Sequence, residues 1–299
     1  MDRLQAMKVF VAVVDAQGFA GAARQLNLSP PAVTRAIHDL ENLLGVRLLT
    51  RTTRVVRVTE AGARHVEDCR RILAQLAEAD ASVTGLHTQP RGQLVITAPA
   101  LFGAMFVTPV VTEYLRRYPE VNATCLFLDR VVNMLDEGVD VAVRIGELPD
   151  SSFQAVRLGS VRRLICASPA YLTEHGTPET PDELGAHRII SSSSIQPAPE
   201  WRLMHNGTSR LFKVQPRMRT TTNDSAIAAA LDGFGVTRVL SYQIAEHLRE
   251  GRLITVLAAY EPVAWPVHVV HREGQNATQR VRAFLDLVIE RLRGAEGLQ

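Results

Sequence analysis

Apolar positions recur at helical spacing three times within the first 45 residues. Leu4, Met7, Val9, Phe10, Val11, Val13 and Val14 predict a largely buried helix over residues 4–15. The stretch FAGAARQL, residues 19–26, predicts a second helix, in which Ala20, Gly21, Ala22 and Ala23 permit close packing. A short turn, Asn27–Ser29, leads into SPPAVTRAIHDLE. Ser29 is suited to accept a hydrogen bond from an orphaned backbone N–H. Pro30 and Pro31 are tolerated in a first helical turn, where the N–H groups have no intrahelical partner. Val33, Ala36, Ile37, Leu40, Leu43 and Leu44 form one stripe, Thr34, Arg35 and His38 lie off it, and Gly45 is a suitable C-cap.

The pattern then changes. RLL and VVRVT read as two short strands flanking TRTT, which places Arg51 and Arg54 at a hairpin tip. From Glu60 to about Thr88 there is no proline. Cys69, Leu76 and Val83 fall on heptad a positions and Ile72, Ala79 and Leu86 on d positions, a seam suited to pairing two chains. A long helix packed on its own chain is the alternative. Pro90, Arg91 and Gly92 end this segment. Beyond it, strands are expected near 93–98, 121–128, 139–144, 161–167, 187–191, 201–205, 209–215, 235–238, 252–257 and 267–271. Helices are expected near 101–117, 130–137, 169–175, 224–232, 240–249 and 277–293. Such alternation argues for parallel α/β sheets.

Charge sharpens the picture. Net charge over 299 residues is only +2, but residues 1–59 carry eight Lys/Arg against four Asp/Glu. Residues 60–89 carry three against five, and the remainder balances at 22 against 22. A small basic domain on a neutral body suggests a polyanion partner for that domain. No run of about 18 apolar residues is present, so no membrane span is expected. Lys8 and Asp15 interrupt the N-terminal apolar stretch, which reads as a helix and not a signal peptide. Cys69, Cys125 and Cys166 are odd in number and far apart, which argues against a disulfide framework or thiolate metal site and fits a reducing cytoplasm.

No His-Glu-x-x-His spacing or G-x-S-x-G elbow occurs, the nine histidines are scattered, and the glycines of GFGVTR form no dinucleotide fingerprint. Cys125 and Cys166 sit in the apolar stretches NATCLFL and RRLICAS and read as core thiols. No catalytic residue, metal or cofactor is therefore assigned.

Two short helices and a third amphipathic one make a helix-turn-helix reading, in which the N-terminal turn of the last helix meets base edges. An arginine-bearing wing beside it suits phosphate or minor-groove contact. A three-helix bundle with a solvated face stays open. GFAGAARQLNLSPPAVTRAIHDLENLLGVRLLTRTTRVVRVTEAG closely resembles the winged helix-turn-helix of LysR-type transcriptional regulators, with Leu49 where many members have Phe. GFGVTRVLSYQIAEHLREGRLITVL and RVRAFLDLVIERL resemble the family too, at lower density.

The resemblance implies a winged helix-turn-helix over 1–59, a dimerising linker helix over 60–89 and an effector-binding domain over 90–299. That domain would comprise two Rossmann-like α/β subdomains, as in periplasmic binding proteins, one from about 90–162 and 266–299 and the other from about 163–265. Candidate contacts to double-stranded DNA are Ser29, Pro30, Pro31, Thr34, Arg35, His38, Arg51, Thr52, Thr53 and Arg54. In open α/β sheets ligands sit beyond the carboxyl ends of strands. That rule selects Thr97, Ala98, Pro99, Ala100, Arg144, Ser191, Ser193, Thr221 and Asn223 for a small, anionic effector. A homodimer or homotetramer, RNA polymerase as a further partner and a cytoplasmic location are also implied. The other class of function is an α/β enzyme or solute-binding protein whose N-terminal helices mediate assembly only.

Overall fold

The computed structural model describes residues 2–51, 56–83, 89–148, 153–192, 200–272 and 277–298, with backbone alone for Arg51, Gln75 and residues 78–83. The chain divides into two compact units, Met1–Gly92 and Gln93–Gln299.

In the first unit, helices α1 (Arg3–Asp15), α2 (Phe19–Gln25) and α3 (Pro30–Leu44) bring their stripes together. Phe10 and Val13 of α1, Ala22 and Ala23 of α2, and Val33, Ile37 and Leu40 of α3 share one core. Leu43, assigned to the same stripe, is instead 62% exposed. Strands β1 (Leu49–Arg51) and β2 (Val56–Val58) form an antiparallel hairpin with Thr50 opposite Arg57. It begins two residues later than expected.

The hairpin is tied to α3 by one carboxylate. Glu41 Oε1 accepts from the backbone N–H of Leu48 at 2.8 Å and of Leu49 at 3.0 Å. Helix α4 (Glu60–Val83) starts where the Thr59 hydroxyl accepts from Gly62 N–H at 2.9 Å. A Cβ on Gly62 would lie 2.1 Å from the Leu48 carbonyl oxygen, so only glycine permits this approach.

Val66 and Cys69 of α4 are buried in the N-terminal core, with Leu73 packed against it. This corrects the seam at its first position: the Cys69 thiol is wholly enclosed by its own chain and is not available to another. The open part of the stripe begins at Ile72, which is 38% exposed, and continues to the half-buried Leu76. Ala79 and Val83 lie on the backbone of α4, and Leu86 falls outside the described residues.

The second unit contains two five-stranded sheets and a separate hairpin. Strands β3 (Gly92–Ala98), β4 (Val121–Phe127), β5 (Val141–Ile145) and β6 (Gln154–Val161) belong to the first sheet. Helix α5 (Ala100–Phe102) runs through a π-turn at Gly103–Val107 into α6 (Thr108–Arg117). The second sheet holds β7 (Arg163–Ala167) and, after α7 (Pro169–His175), β8 (Ile189–Ser191). Strands β9 (Glu200–His205) and β10 (Thr208–Lys213) form the hairpin. Then β11 (Pro216–Arg219), α8 (Asn223–Leu231), β12 (Val236–Leu240), α9 (Ala245–Arg249) and β13 (Ile254–Val256) complete the second sheet and its helices. Strand β14 (Trp265–His271) returns to the first sheet, and α10 (Gln279–Leu292) packs on it.

The sheet orders are β4-β3-β5-β14-β6 and β11-β8-β12-β7-β13. The sheets are mixed, not wholly parallel as the alternation suggested. Pairs β3–β5 and β11–β8–β12 are parallel, whereas β14 and β7 run antiparallel to their neighbours. The chain passes between the sheets twice, at β6–β7 and at β13–β14. Tyr242 joins the two halves: it is buried in the first sheet's core, edge-on to Phe102 and Phe106.

Three expectations fail for visible reasons. Residues 130–137 form turns, not a helix: Asn133 Oδ1 accepts from Leu135 N–H, and Arg130 pairs with Glu137. Val132 and Met134 are buried while Val131 and Leu135 are exposed, a period of two. Strands β6 and β11 were not expected, since β6 carries Arg157 and Gly159 and β11 reads Pro-Arg-Met-Arg. The helix expected over 240–249 is a short turn at Ser241–Gln243 followed by α9.

Because Glu41 holds two N–H groups of the wing, Glu41→Ala should destabilise the first unit by about 2 kcal/mol. Both tryptophans lie in the second unit, so far-UV circular dichroism in urea is the measurement. A midpoint unchanged from wild type contradicts the assigned role.

Candidate nucleic-acid interface and effector cleft

Ser29 adopts an extended conformation and its hydroxyl accepts from Ala32 N–H at 3.3 Å, with Pro30 and Pro31 in the first turn. The helix closes on Gly45 in the left-handed region, φ 68°. Its buried face leaves Ser29, Pro30, Pro31, Arg35 and His38 exposed and Thr34 half-buried. Positions 31, 34, 35 and 38 share one side of α3 at i, i+3, i+4 and i+7. These groups form a surface offering a hydroxyl, an imidazole and a guanidinium.

The arginines of this unit fall into two sets. On α4, Arg64 pairs with Glu60, Arg70 with Asp15 and Glu67, and Arg71 with Asp68. By contrast, exposed Arg3, Arg24, Arg35, Arg47 and Arg57 have no ion pair or side-chain hydrogen bond among the described residues. Sequence reasoning missed Arg24, Arg47 and Arg57, because nothing in the sequence separates a paired arginine from an unpaired one. Of the wing candidates, Arg51 has a placed backbone in β1, while Thr52, Thr53 and Arg54 fall outside the described residues.

The effector candidates divide similarly. Ala98 is buried in the first core, and the buried Thr97 hydroxyl donates to the Leu126 carbonyl at 2.7 Å. Half-buried Arg144 donates to the Val132 carbonyl, and burial holds its pKa below the usual arginine range. Thr97 and Arg144 thus each donate a hydrogen bond within the chain. Pro99 and Ala100 are half-buried, and Ala100 N–H donates to Asp129 Oδ1 at 3.0 Å, so a carboxylate of the chain already occupies that donor.

In the second sheet, Ser191 is buried and its carbonyl accepts from Thr220 N–H. Ser192 donates to Asn223 Oδ1, bringing the end of β8 and the start of α8 together. Thr221 is exposed, and Ser193 falls outside the described residues. Ser192 lies within the Ser191–Ser194 stretch expected to follow this strand. Among the described residues no group of His, Cys, Asp and Glu is arranged to hold a metal, and no helix is long and apolar enough to cross a membrane.

Fold and site define a DNA-binding protein with a ligand-binding domain, and comparison with known proteins gives the family. Residues 4–63 match the bacterial regulatory helix-turn-helix protein, lysR family, and residues 87–293 match the LysR substrate binding domain. The HTH-type transcriptional regulator CrgA of Neisseria meningitidis is 31% identical over 287 residues, 96% of each chain. A transcriptional repressor of Pseudomonas aeruginosa is 34% identical over 293 residues, 97% of this chain and 92% of its own. The solved structure of CrgA is 30% identical with a TM-score of 0.62, covering 96% of this chain and 98% of its own. The full-length virulence activator AphB of Vibrio cholerae is 25% identical with a TM-score of 0.62, covering 98% and 100%. The chain belongs to the LysR family of transcriptional regulators: a helix-turn-helix DNA-binding domain joined to an effector-binding domain.

The thiols test the packing of α4. Burial pushes the Cys69 thiol up to about 11 and the Cys166 thiol up to about 12, while Cys125 is exposed at its surface although partial burial raises it too. A native protein at pH about 8 should release colour from Cys125 alone with a disulfide reagent, the other two reacting only in denaturant. Rapid reaction of Cys69 in the folded protein contradicts its enclosure.

Proposed function

We propose that α3 reads base edges through Thr34, Arg35 and His38, with Ser29, Pro30 and Pro31 at its approach to the DNA backbone. Arg24, Arg47 and Arg57, together with Arg51, Thr52, Thr53 and Arg54 of the wing, hold phosphate or the minor groove. One observation carries this reading: five exposed arginines of the first unit outside α4, Arg3 among them, have no ion pair or side-chain hydrogen bond among the described residues, while those of α4 are paired. Unneutralised guanidinium groups release counterions when they meet phosphate, which gives affinity, and a bidentate contact to a base gives sequence preference.

Ile72, Leu76, Ala79, Val83 and Leu86 form the seam that pairs two chains and sets two α3 helices on two half-sites. Further pairing through the second unit gives the homotetramer, which acts with RNA polymerase in the cytoplasm. The effector, a small molecule with an acidic group, binds between the sheets at Pro99, Ala100, Ser191, Ser192, Ser193, Thr221 and Asn223. Its contacts with both sheets favour one geometry over another, a coupling of about 1–3 kcal/mol.

Arg35→Ala should cost about 1–3 kcal/mol of operator affinity and relax sequence preference. Arg57→Ala should weaken all duplexes alike and reduce the salt slope by about one charge. Mobility shift at several salt concentrations separates the two, and a wild-type profile for Arg35→Ala removes α3 as the reader. Leu76→Asp places a charge in the seam and should dissociate the oligomer in sedimentation. An unchanged mass rules the seam out.

A further inference from the structure

The second unit contains a cavity of about 600 Å³ that none of the effector candidates lines. It opens beside both chain crossings, with Arg163 on one and Ala264 and Trp265 on the other. Arg238 of β12 and Arg202 of the β9–β10 hairpin complete a group of three guanidiniums.

These cations are unusually short of partners. Arg163 Nε and Arg238 Nη1 are both buried without a hydrogen bond among the described residues. Glu147 and Glu200 line the same cavity, yet neither forms an ion pair with any of the three among the described residues. The arginines rest on aromatic faces instead: the Arg163 guanidinium lies 3.9 Å from the Trp265 ring centroid and that of Arg238 lies 5.3 Å from Trp201. Stacking compensates a desolvated charge only in part. Burial, then the charge of Arg163, brings Arg238 down to about 9; burial, then the charge of Arg202, lowers Arg163. Half-buried guanidiniums that repel one another and lack acceptors among the described residues suit an anion from elsewhere.

The lining also limits what that anion is. Three arginines against two glutamates leave a single positive charge, which suits a monoanion and disfavours a polyphosphate. Met204, Leu211, Pro262 and Val263 supply apolar wall for a hydrophobic body, and the volume is that of a small-molecule site. We propose that this cavity is a second ligand site, which takes a carboxylate monoanion with an apolar tail, its carboxylate held between Arg163 and Arg238. Because its walls include both crossings, an occupant touches the segments that set one sheet against the other and so biases their arrangement.

The only two tryptophans of the chain, Trp201 and Trp265, are the ones stacked on these arginines. Trp265 lines the cavity and Trp201 contacts it through Arg238, so tryptophan fluorescence reports on the cavity in the full-length protein. Hexanoate, which is optically silent, should give a saturable change; hexanol and inorganic phosphate should not. Arg163→Gln and Arg238→Gln should each weaken hexanoate at least about tenfold, while Asn223→Ala, in the proposed effector cleft, should bind hexanoate like wild type. Should Arg238→Gln lose its native circular dichroism, Arg238→Lys keeps the charge without the planar fork and should weaken binding. The proposal is overturned by an unsaturable hexanoate response, an equal response to hexanol, wild-type affinity in the folded arginine variants, or loss of the response in Asn223→Ala alone.

Discussion

A guanidinium withdrawn from water must meet an acceptor, and this constraint bears on both units of the molecule. Several arginines of the fold are paired with a carboxylate. Glu113 accepts from Arg291 and Arg117, which holds its own pKa down to about 2, and Arg130 pairs with Glu137 through two hydrogen bonds. The α4 arginines are committed in the same way. Two groups of arginines without such partners among the described residues matter here, those on the exposed face of the helix-turn-helix and those at the cavity beside the crossings. In both, positive charge is left for a partner outside the chain. The first suits a polyanion because it is exposed, and the second a small anion because it is enclosed.

Cation placement is useful only if the supporting frame is stiff. On α3 that stiffness comes from both ends: the Ser29 cap and the prolines fix the start, and Gly45 the end. Glu41 then ties the wing to the same helix, while Thr59 and Gly62 lock α4 against Leu48. Reader, wing and linker thus form one cooperative body around the core that Phe10, Ile37 and Cys69 share. In the second unit the corresponding element is Tyr242, whose ring from the segment after β12 is locked among Phe102 and Phe106.

Much of this was legible in sequence because local rules and burial agree. The Ser-Pro-Pro start, the Gly45 stop and the stripe through Leu40 all rest on short-range physics, and the helix boundaries of α3 follow from them. Legibility fails where an outcome depends on distant partners. Cys69 satisfies a heptad, but α1 lies across that face for the first turns of α4, so the thiol is filled from within. Thr97 and Arg144 have the chemistry of ligand donors, yet the Leu126 and Val132 carbonyls take them. Nor does the sequence reveal that Arg163 and Arg238, 75 residues apart, share a cavity with Trp265. Only strand pairing, with β7 beside β12, brings them together.

On the reading proposed above, DNA affinity resides in the arginines that lack partners among the described residues. The most direct test compares the salt dependence of binding to a duplex of arbitrary sequence for two multiple variants. One replaces Arg24, Arg35, Arg47 and Arg57 with glutamine, and the other replaces the paired Arg64, Arg70 and Arg71. Counterion release requires free cations, so the first variant should lose most of the slope of log affinity against log salt and the second should keep it. Equal losses in the two variants, or a larger loss in the second, would contradict the account.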